Sequence, residues 1–444
     1  MHILKIIHGY PPKYNAGSEV YSQSVVNELK KTEEITVFTR EENEYELDFK
    51  FRKETNDGVD FVFVNMARGK DGYNHPLLNE KFGRLIDKIK PDVAHIGHLN
   101  HLSTGIVDEL NKRNIPILYT LHDFWLMCPR GQFLQRNFDG ENLYKICEKQ
   151  DNLGCAKSCY SMYFSGHETG VESELWHMQR LNTHYNSNND VKHWMNWITT
   201  RMSVTKSFIH KVDLFHAPSK YLMNRFINDF KIPKEKVFFL DYGFPTHYLR
   251  PVVPKTNGVY TFGYIGTHIP AKGINLLIKA FSRLEQNAKL KIFGKEQGQN
   301  TAALKEMAKQ SNSPVEFCGE YVNHNLATTV FNKIDCIVVP SIWGENSPLV
   351  IHEAQACKIP VITADYGGMK EYIRHEINGL LFKHRNEEDL FEQLKYAINH
   401  PDQMKKLGNR GYLYSKDGKV PDIKEHCNSL KAIYQDLINR KNGK

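Results

Sequence analysis

Pro340-Ser341-Ile342-Trp343-Gly344-Glu345-Asn346-Ser347-Pro348-Leu349-Val350-Ile351-His352-Glu353 sets two glutamates, with seven residues between them, across the turn from a strand into a helix. The apolar run Ile334 to Val339 before it reads as a buried parallel strand. Ser347 is a suitable N-cap and Pro348 tolerates the first helical position, so a helix is predicted from about Pro348. Its first free amides, those of Leu349 and Val350, form a seat for an anionic phosphate. Glu353 lies one turn further on, where its carboxylate can accept hydrogen bonds from a pair of vicinal hydroxyls such as those of a ribose. Glu345 stays in the loop on the other side of that seat. The plainer alternative is a helix start carrying two solvated acids.

Outward from this segment the chain alternates strands and helices. In the second half, strands are predicted at Thr261 to Ile265, Leu290 to Phe293, Val315 to Cys318, Cys336 to Pro340 and Val361 to Thr363, with a helix near Ile274 to Leu284. In the first half, strands are predicted at Ile3 to His8, Ile35 to Phe38, Val59 to Val64, Val93 to Ile96, Ile115 to Thr120 and Leu214 to Ala217. Pro245, Pro251 and Pro254 punctuate an aperiodic linker between the halves. A chain of 444 residues exceeds one ordinary core, so two domains of roughly 200 residues are expected. The pattern makes each an α/β, Rossmann-like domain with ligands at the carboxyl ends of its strands.

The glutamate pair and its setting resemble the signature of the retaining glycosyltransferases of family 4, which have the two-domain GT-B fold. That resemblance implies two Rossmann-like domains facing across a cleft. Residues 1–250 form the acceptor-side domain, completed by a C-terminal helix at 426–444, and residues 258–425 bind the nucleotide sugar. It also implies sugar transfer from a UDP- or GDP-sugar to a hydroxyl of a sugar, glycan or lipid-linked acceptor, in cell-surface polysaccharide or glycolipid synthesis. In such a site Glu353 would hold the ribose and Glu345 would face the transferred sugar. Gly266 ends the first strand of the second domain, and Lys272 in the loop beyond it resembles the family lysine that neutralises the diphosphate. Thr267 stands where many relatives have an arginine. Ala16-Gly17-Ser18-Glu19 resembles the first-domain glycine loop, with Ala16 in place of its first glycine. His122 resembles a family histidine near the reaction centre. Asp123, His98 and His101 lie on the same predicted rim, on the acceptor side. No cofactor is then expected for catalysis. A sugar-nucleotide epimerase and a non-catalytic sugar-nucleotide-binding subunit are alternatives on the same scaffold.

Apolar residues at 41% and charged residues at 25% describe a soluble globular protein. No window approaches the ~18 apolar residues of a membrane span, and the start runs directly into a strand, so a cytoplasmic protein is expected. The net charge of +7 favours anionic partners. Nucleic acid is not among them, because no nucleic-acid motif or long basic run is present.

The alternation fails between about 128 and 211, an irregular insertion rich in cysteine and aromatic residues. Cys128, Cys147, Cys155 and Cys159 are candidate ligands of a structural zinc, with unligated thiols the alternative. Trp176, Tyr163 and Phe164 belong to this insertion, as does an apolar stripe at Trp194, Ile198, Met202, Ile209 and Val212. Beside Lys192, Arg201, Lys206 and Lys211, the stripe could meet an anionic membrane peripherally, but such a stripe more often packs on a core.

Overall fold

The computed structural model describes residues 1–67, 73–136, 144–160, 187–254, 258–285 and 288–443. Trp176, Tyr163 and Phe164 lie outside them. The chain forms two compact units, Met1–Gly131 with Thr200–Pro245 and Pro421–Lys444, and Gln132–Thr199 with Thr246–Val420.

The first unit is built on an eight-stranded sheet. Its strands are β1 (His2–Ile6), β2 (Glu34–Glu41), β3 (Phe51–Asn56), β4 (Val59–Asn65), β5 (Val93–Ile96), β6 (Ile117–Thr120), β9 (Leu214–Ala217) and β10 (Val237–Phe239). The order is β10-β9-β6-β5-β1-β2-β4-β3, parallel except for the edge strand β3. Ile3, Leu4 and Ile6 of β1 and Val93, Ala94 and Ile96 of β5 are almost fully buried, as a parallel sheet covered on both faces requires. The helix Ile423–Lys441 packs on the helix Gly17–Leu29. It is fixed by buried polar contacts, Tyr434 Oη to His95 Nδ1 at 2.7 Å and His426 Nε2 to Tyr21 Oη at 2.8 Å.

The second unit carries β11 (Tyr260–Ile265), β12 (Ala288–Phe293), β13 (Val315–Gly319), β14 (Cys336–Val339), β15 (Val361–Ala364) and β16 (Leu380–Phe382). They form a wholly parallel sheet in the order β13-β12-β11-β14-β15-β16. This is the 3-2-1-4-5-6 order of dinucleotide-binding folds, which reverses direction between β11 and β14. Crossovers leave a crevice beyond the strand ends at such a point. The glutamate segment and Lys272 both emerge there.

The segment Gln132–Thr199 groups with the second unit, a correction to its expected place in the first domain. It contains the hairpin β7 (Leu134–Arg136) and β8 (Tyr144–Ile146). A hydrogen bond from the Arg385 guanidinium to the Tyr144 carbonyl ties it to the second unit. The helix Ser187–Lys211 buries Ile198, Arg201, Thr205 and Ile209, while Lys192, His193, Lys206 and His210 are exposed. Of its apolar stripe, Ile198, Ile209 and Val212 are buried and Trp194 and Met202 half-buried. Among the described residues no helix is long and apolar enough to cross a membrane.

Candidate functional site

In the second unit two loops lock together at the switch point. Gly273, at φ 69°, brings the loop after β11 against the loop after β14, and a Cβ there would lie 2.0 Å from the Pro340 carbonyl oxygen. Ile342 N–H donates to the Ala271 carbonyl at 2.9 Å. The Gly266 amide donates to the Phe293 carbonyl at 3.0 Å, which fixes the end of β11 against β12. Lys272 closes a short 3₁₀ turn, Pro270–Lys272, and projects across the gap.

Its Nζ lies 2.6 Å from Glu345 Oε1. The same oxygen accepts from Ser341 Oγ at 2.6 Å and Trp343 Nε1 at 2.9 Å. The Glu345 side chain is only 8% exposed, against 29% for Lys272, so the carboxylate is the fixed member of the pair and the ammonium the reachable one. The Glu345 backbone is held too, its carbonyl accepting from the Gly368 amide at 2.7 Å. The sequence assigned Lys272 and Glu345 separate duties; in the folded chain they are ion-paired.

The helix after this loop runs Leu349–Ala356. Pro348 stands at its N-cap position, and Ser347 is buried in the turn just before it. Leu349 and Val350 therefore open the helix with amides that have no acceptor inside it. One turn on, Glu353 is half-buried, and burial raises its carboxyl to about 7. Its charge is felt by the hydroxyls of Tyr248 and Tyr321, both pushed up first by burial and then by Glu353. A carboxyl placed this way is poised between accepting and donating near neutral pH.

In the first unit the sheet reverses direction between β1 and β5, and the predicted rim residues sit at that end. His122 Nδ1 is 2.6 Å from the Tyr242 hydroxyl. Burial, then the Lys5 charge, holds the His122 imidazole well below its ordinary range, so it is neutral. Gly97 packs close by, where a Cβ would lie 2.9 Å from Ile7 Cδ1 and 3.4 Å from His122 Nε2. His98 Nδ1 accepts from the Asn100 amide at 2.9 Å, which leaves Nε2 as the donor to Asp123, 3.3 Å from each carboxylate oxygen. Asp123 also accepts from the Trp125 amide at 2.7 Å. His101 lies in the tight turn after Leu99, left-handed at φ 56°. Gly17 is the exposed first residue of the helix Gly17–Leu29.

Sequence reasoning missed two partners here. His8, at the end of β1, packs edge-on against His98 with ring centroids 4.5 Å apart, and its Nε2 lies 3.2 Å from Glu19 Oε1. Burial pushes Glu19 up, but the His8 and Ser18 hydrogen bonds outweigh it and bring the carboxyl to about 2. His8 follows a strand and Glu19 lies in the first turn of the next helix, which is the only sequence signal either gave.

The four cysteines of the insertion, Cys128, Cys147, Cys155 and Cys159, all lie within the described residues. Among the described residues no group of three or more His, Cys, Asp or Glu side chains could hold a metal ion. Cys128 belongs to a turn of the first unit, its amide bonded to the Phe124 carbonyl at 2.7 Å. Cys147, Cys155 and Cys159 belong to the second unit, where Cys155 Sγ accepts from Gln150 Nε2 at 3.4 Å.

Two parallel doubly wound sheets, each with polar residues at its switch point, define the GT-B class of fold. Two family models match the chain, Glycosyltransferase Family 4 over residues 16–156 and Glycosyl transferases group 1 over residues 249–414. The protein belongs to this glycosyltransferase family. An uncharacterized glycosyltransferase of Methanocaldococcus jannaschii is 33% identical over 186 residues, 40% of this chain and 49% of that protein. The chain thus matches about half the length of that curated relative. Among solved structures, sucrose-phosphate synthase from Thermosynechococcus elongatus superposes with a TM-score of 0.69 at 16% identity, covering 99% of this chain and 100% of that one. The Anabaena protein HepE in complex with UDP and glucose gives 0.62 at 14% identity, covering 98% and 100%. At these identities the structural likeness speaks for the fold.

Proposed function

We propose that the protein transfers a sugar from a nucleoside diphosphate donor to an acceptor hydroxyl, with retention of configuration at the anomeric carbon. The observation that carries this reading is the Lys272–Glu345 pair beside the opening of the helix Leu349–Ala356, with Glu353 one turn further on. Glu353 accepts hydrogen bonds from the ribose hydroxyls. Lys272 and the amides of Leu349 and Val350 meet the diphosphate, and Glu345 faces the sugar. The neutral His122, with Asp123 and His98, serves the acceptor. In the transfer step the acceptor oxygen bonds to the anomeric carbon on the face from which the phosphate departs, and the acceptor proton passes to the leaving phosphate oxygen. The donor proposed first is a UDP-sugar, because the similar fold of HepE holds UDP and glucose; the acceptor is a sugar or glycan hydroxyl.

The test is a thermal-shift screen of UDP-, GDP- and ADP-sugars, followed by nucleoside diphosphate release with the donor it identifies. A true donor raises the melting temperature, since it binds the folded state alone. Glu345→Ala should retain that shift and lose turnover. Turnover equal to that of the parent, or no stabilisation by any of the three donor classes, overturns the assignment.

A further inference from the structure

On the first unit, a groove of about 690 Å³ lies between the helix Gly17–Leu29 and the face of the β3–β4 hairpin. That volume is within the range of small-ligand sites, ~300–1,000 Å³. Its floor is set by strand register. Phe61 and Phe63, two apart on β4, share one face, and opposite them on β3 stand Glu54 and Arg52. The Phe61 and Phe63 rings are nearly parallel, with an interplanar angle of 14° and centroids 5.8 Å apart, and the Arg52 guanidinium stacks 4.1 Å above Phe63. The wall is one helix face, with Gln23, Asn27 and Lys30 at successive turns. The end is closed by the loop Tyr10–Tyr14, where Tyr10 meets Phe61 edge-on and Arg40 lies 4.7 Å over Tyr14.

The charges around this groove cancel. Arg52 pairs with Glu41 at 2.9 Å, Arg40 with Glu42 at 2.8 Å, and Lys30 with Asp57. Lys13 donates to the Glu42 carbonyl at 3.2 Å, and Glu54 takes the other Arg52 nitrogen. A groove with balanced charge offers no field to select a phosphate, a nucleic acid or an acidic peptide. Paired guanidinium and carboxylate groups nevertheless keep spare N–H donors and lone pairs, and Gln23 and Asn27 add an amide each. Many fixed donors and acceptors around aromatic faces suit a ligand with hydroxyls on its edges and C–H groups on its faces.

We infer that this groove is a second binding site for an uncharged oligosaccharide. Tyr14 lies three residues before Gly17, so the loop that closes the groove leads into the start of the acceptor-side helix. The site would hold the distant sugars of a growing chain; that role, though not the binding itself, rests on the transferase reading.

The experiment uses the full chain on an array of uncharged α- and β-glucans, mannans and galactans alongside sialylated and phosphorylated glycans. Phe63→Ala removes an aromatic floor residue, and Asn27→Trp fills the groove from an exposed helix position without touching the core. The parent should retain one uncharged class, and both variants should weaken it at least about tenfold. Retention of charged glycans alone, of none, or of the uncharged class equally by parent and Asn27→Trp overturns the inference. Stabilisation by UDP-glucose is measured on the same samples. A groove that fails with donor stabilisation intact leaves the transfer reading standing, and glycan retention without donor stabilisation does the reverse.

Discussion

Replacing Glu353 with glutamine probes a carboxyl that the fold holds at a disadvantage. Burial raises its pKa from the ordinary 4.5 to about 7. Below pH 4.5 the acid is protonated in both folded and unfolded chains and costs nothing. Between 4.5 and 7 the unfolded chain binds fewer protons than the folded one, so stability falls as pH rises. Above 7 the full cost of an ionised buried carboxylate, roughly 3 kcal/mol, is in place. Glutamine keeps the shape and does not titrate. The stability of Glu353→Gln relative to the parent should therefore grow by roughly 2.5 kcal/mol between pH 5 and pH 8. For a unit of this size that widens the difference in melting temperature by about 7 °C. The assay is thermal unfolding at both pH values, following the transition that carries the second unit. Donor affinity should move the other way. A charge-assisted hydrogen bond to ribose becomes a neutral one, a loss of about tenfold, and parental donor binding should strengthen as pH rises through 7. A stability difference that is the same at pH 5 and pH 8 refutes the reasoning, because it means the carboxyl titrates normally.

Lys272→Met should lower nucleoside diphosphate release by about 10²- to 10³-fold, the scale of losing one preorganised charge at a leaving group; turnover within tenfold of the parent in a steady-state assay would remove Lys272 from that role. Gly273→Ala puts a side chain at φ 69° and 2.0 Å from the Pro340 oxygen, so it should cost at least about 1–2 kcal/mol and abolish stabilisation by the donor, read by thermal shift. Lys5 is fully buried with no hydrogen-bond partner for its ammonium, and burial lowers its pKa from 10.5 to about 7. Its cost is present below pH 7 and fades as pH rises towards 10.5, so Lys5→Met should stabilise the first unit by several kcal/mol at pH 6 and by much less at pH 10 in denaturant titrations.

The parts of this fold that declared themselves in sequence are those where burial forces a pattern. β5 and β9 have the predicted limits because each is a short, mostly apolar run, Val-Ala-His-Ile and Leu-Phe-His-Ala, that starts after an aspartate and stops at Gly97 or Pro218. β3 went unread for the opposite reason: Phe-Arg-Lys-Glu-Thr-Asn is an exposed edge strand whose charges satisfy no burial pattern. A signal was nevertheless present. Asp57-Gly58, with φ of 49° and 75°, is the two-residue turn that joins antiparallel strands, and it specifies the hairpin that floors the groove. The ion pair of Lys272 with Glu345 was beyond reach. The residues are 73 apart, and what brings them together is the adjacency of β11 and β14, a property of sheet order.

If the proposed function holds, that ion pair also bears on how the site would accept a donor. Without one, Lys272 and Glu345 neutralise each other, and Glu353 is about half protonated at neutral pH. A nucleoside diphosphate brings about two negative charges, so Lys272 has to be shared with phosphate or drawn away from Glu345. A buried carboxylate that loses its cation is ordinarily costly. Glu345 is protected against that loss because Ser341 Oγ and Trp343 Nε1 donate to the same oxygen that Lys272 contacts. The carboxylate can keep its place while the ammonium turns to the leaving group. On the proposed reading the half-exposed lysine would be the movable charge, and the loop around Glu345, closed by Gly368, the fixed wall against which it works.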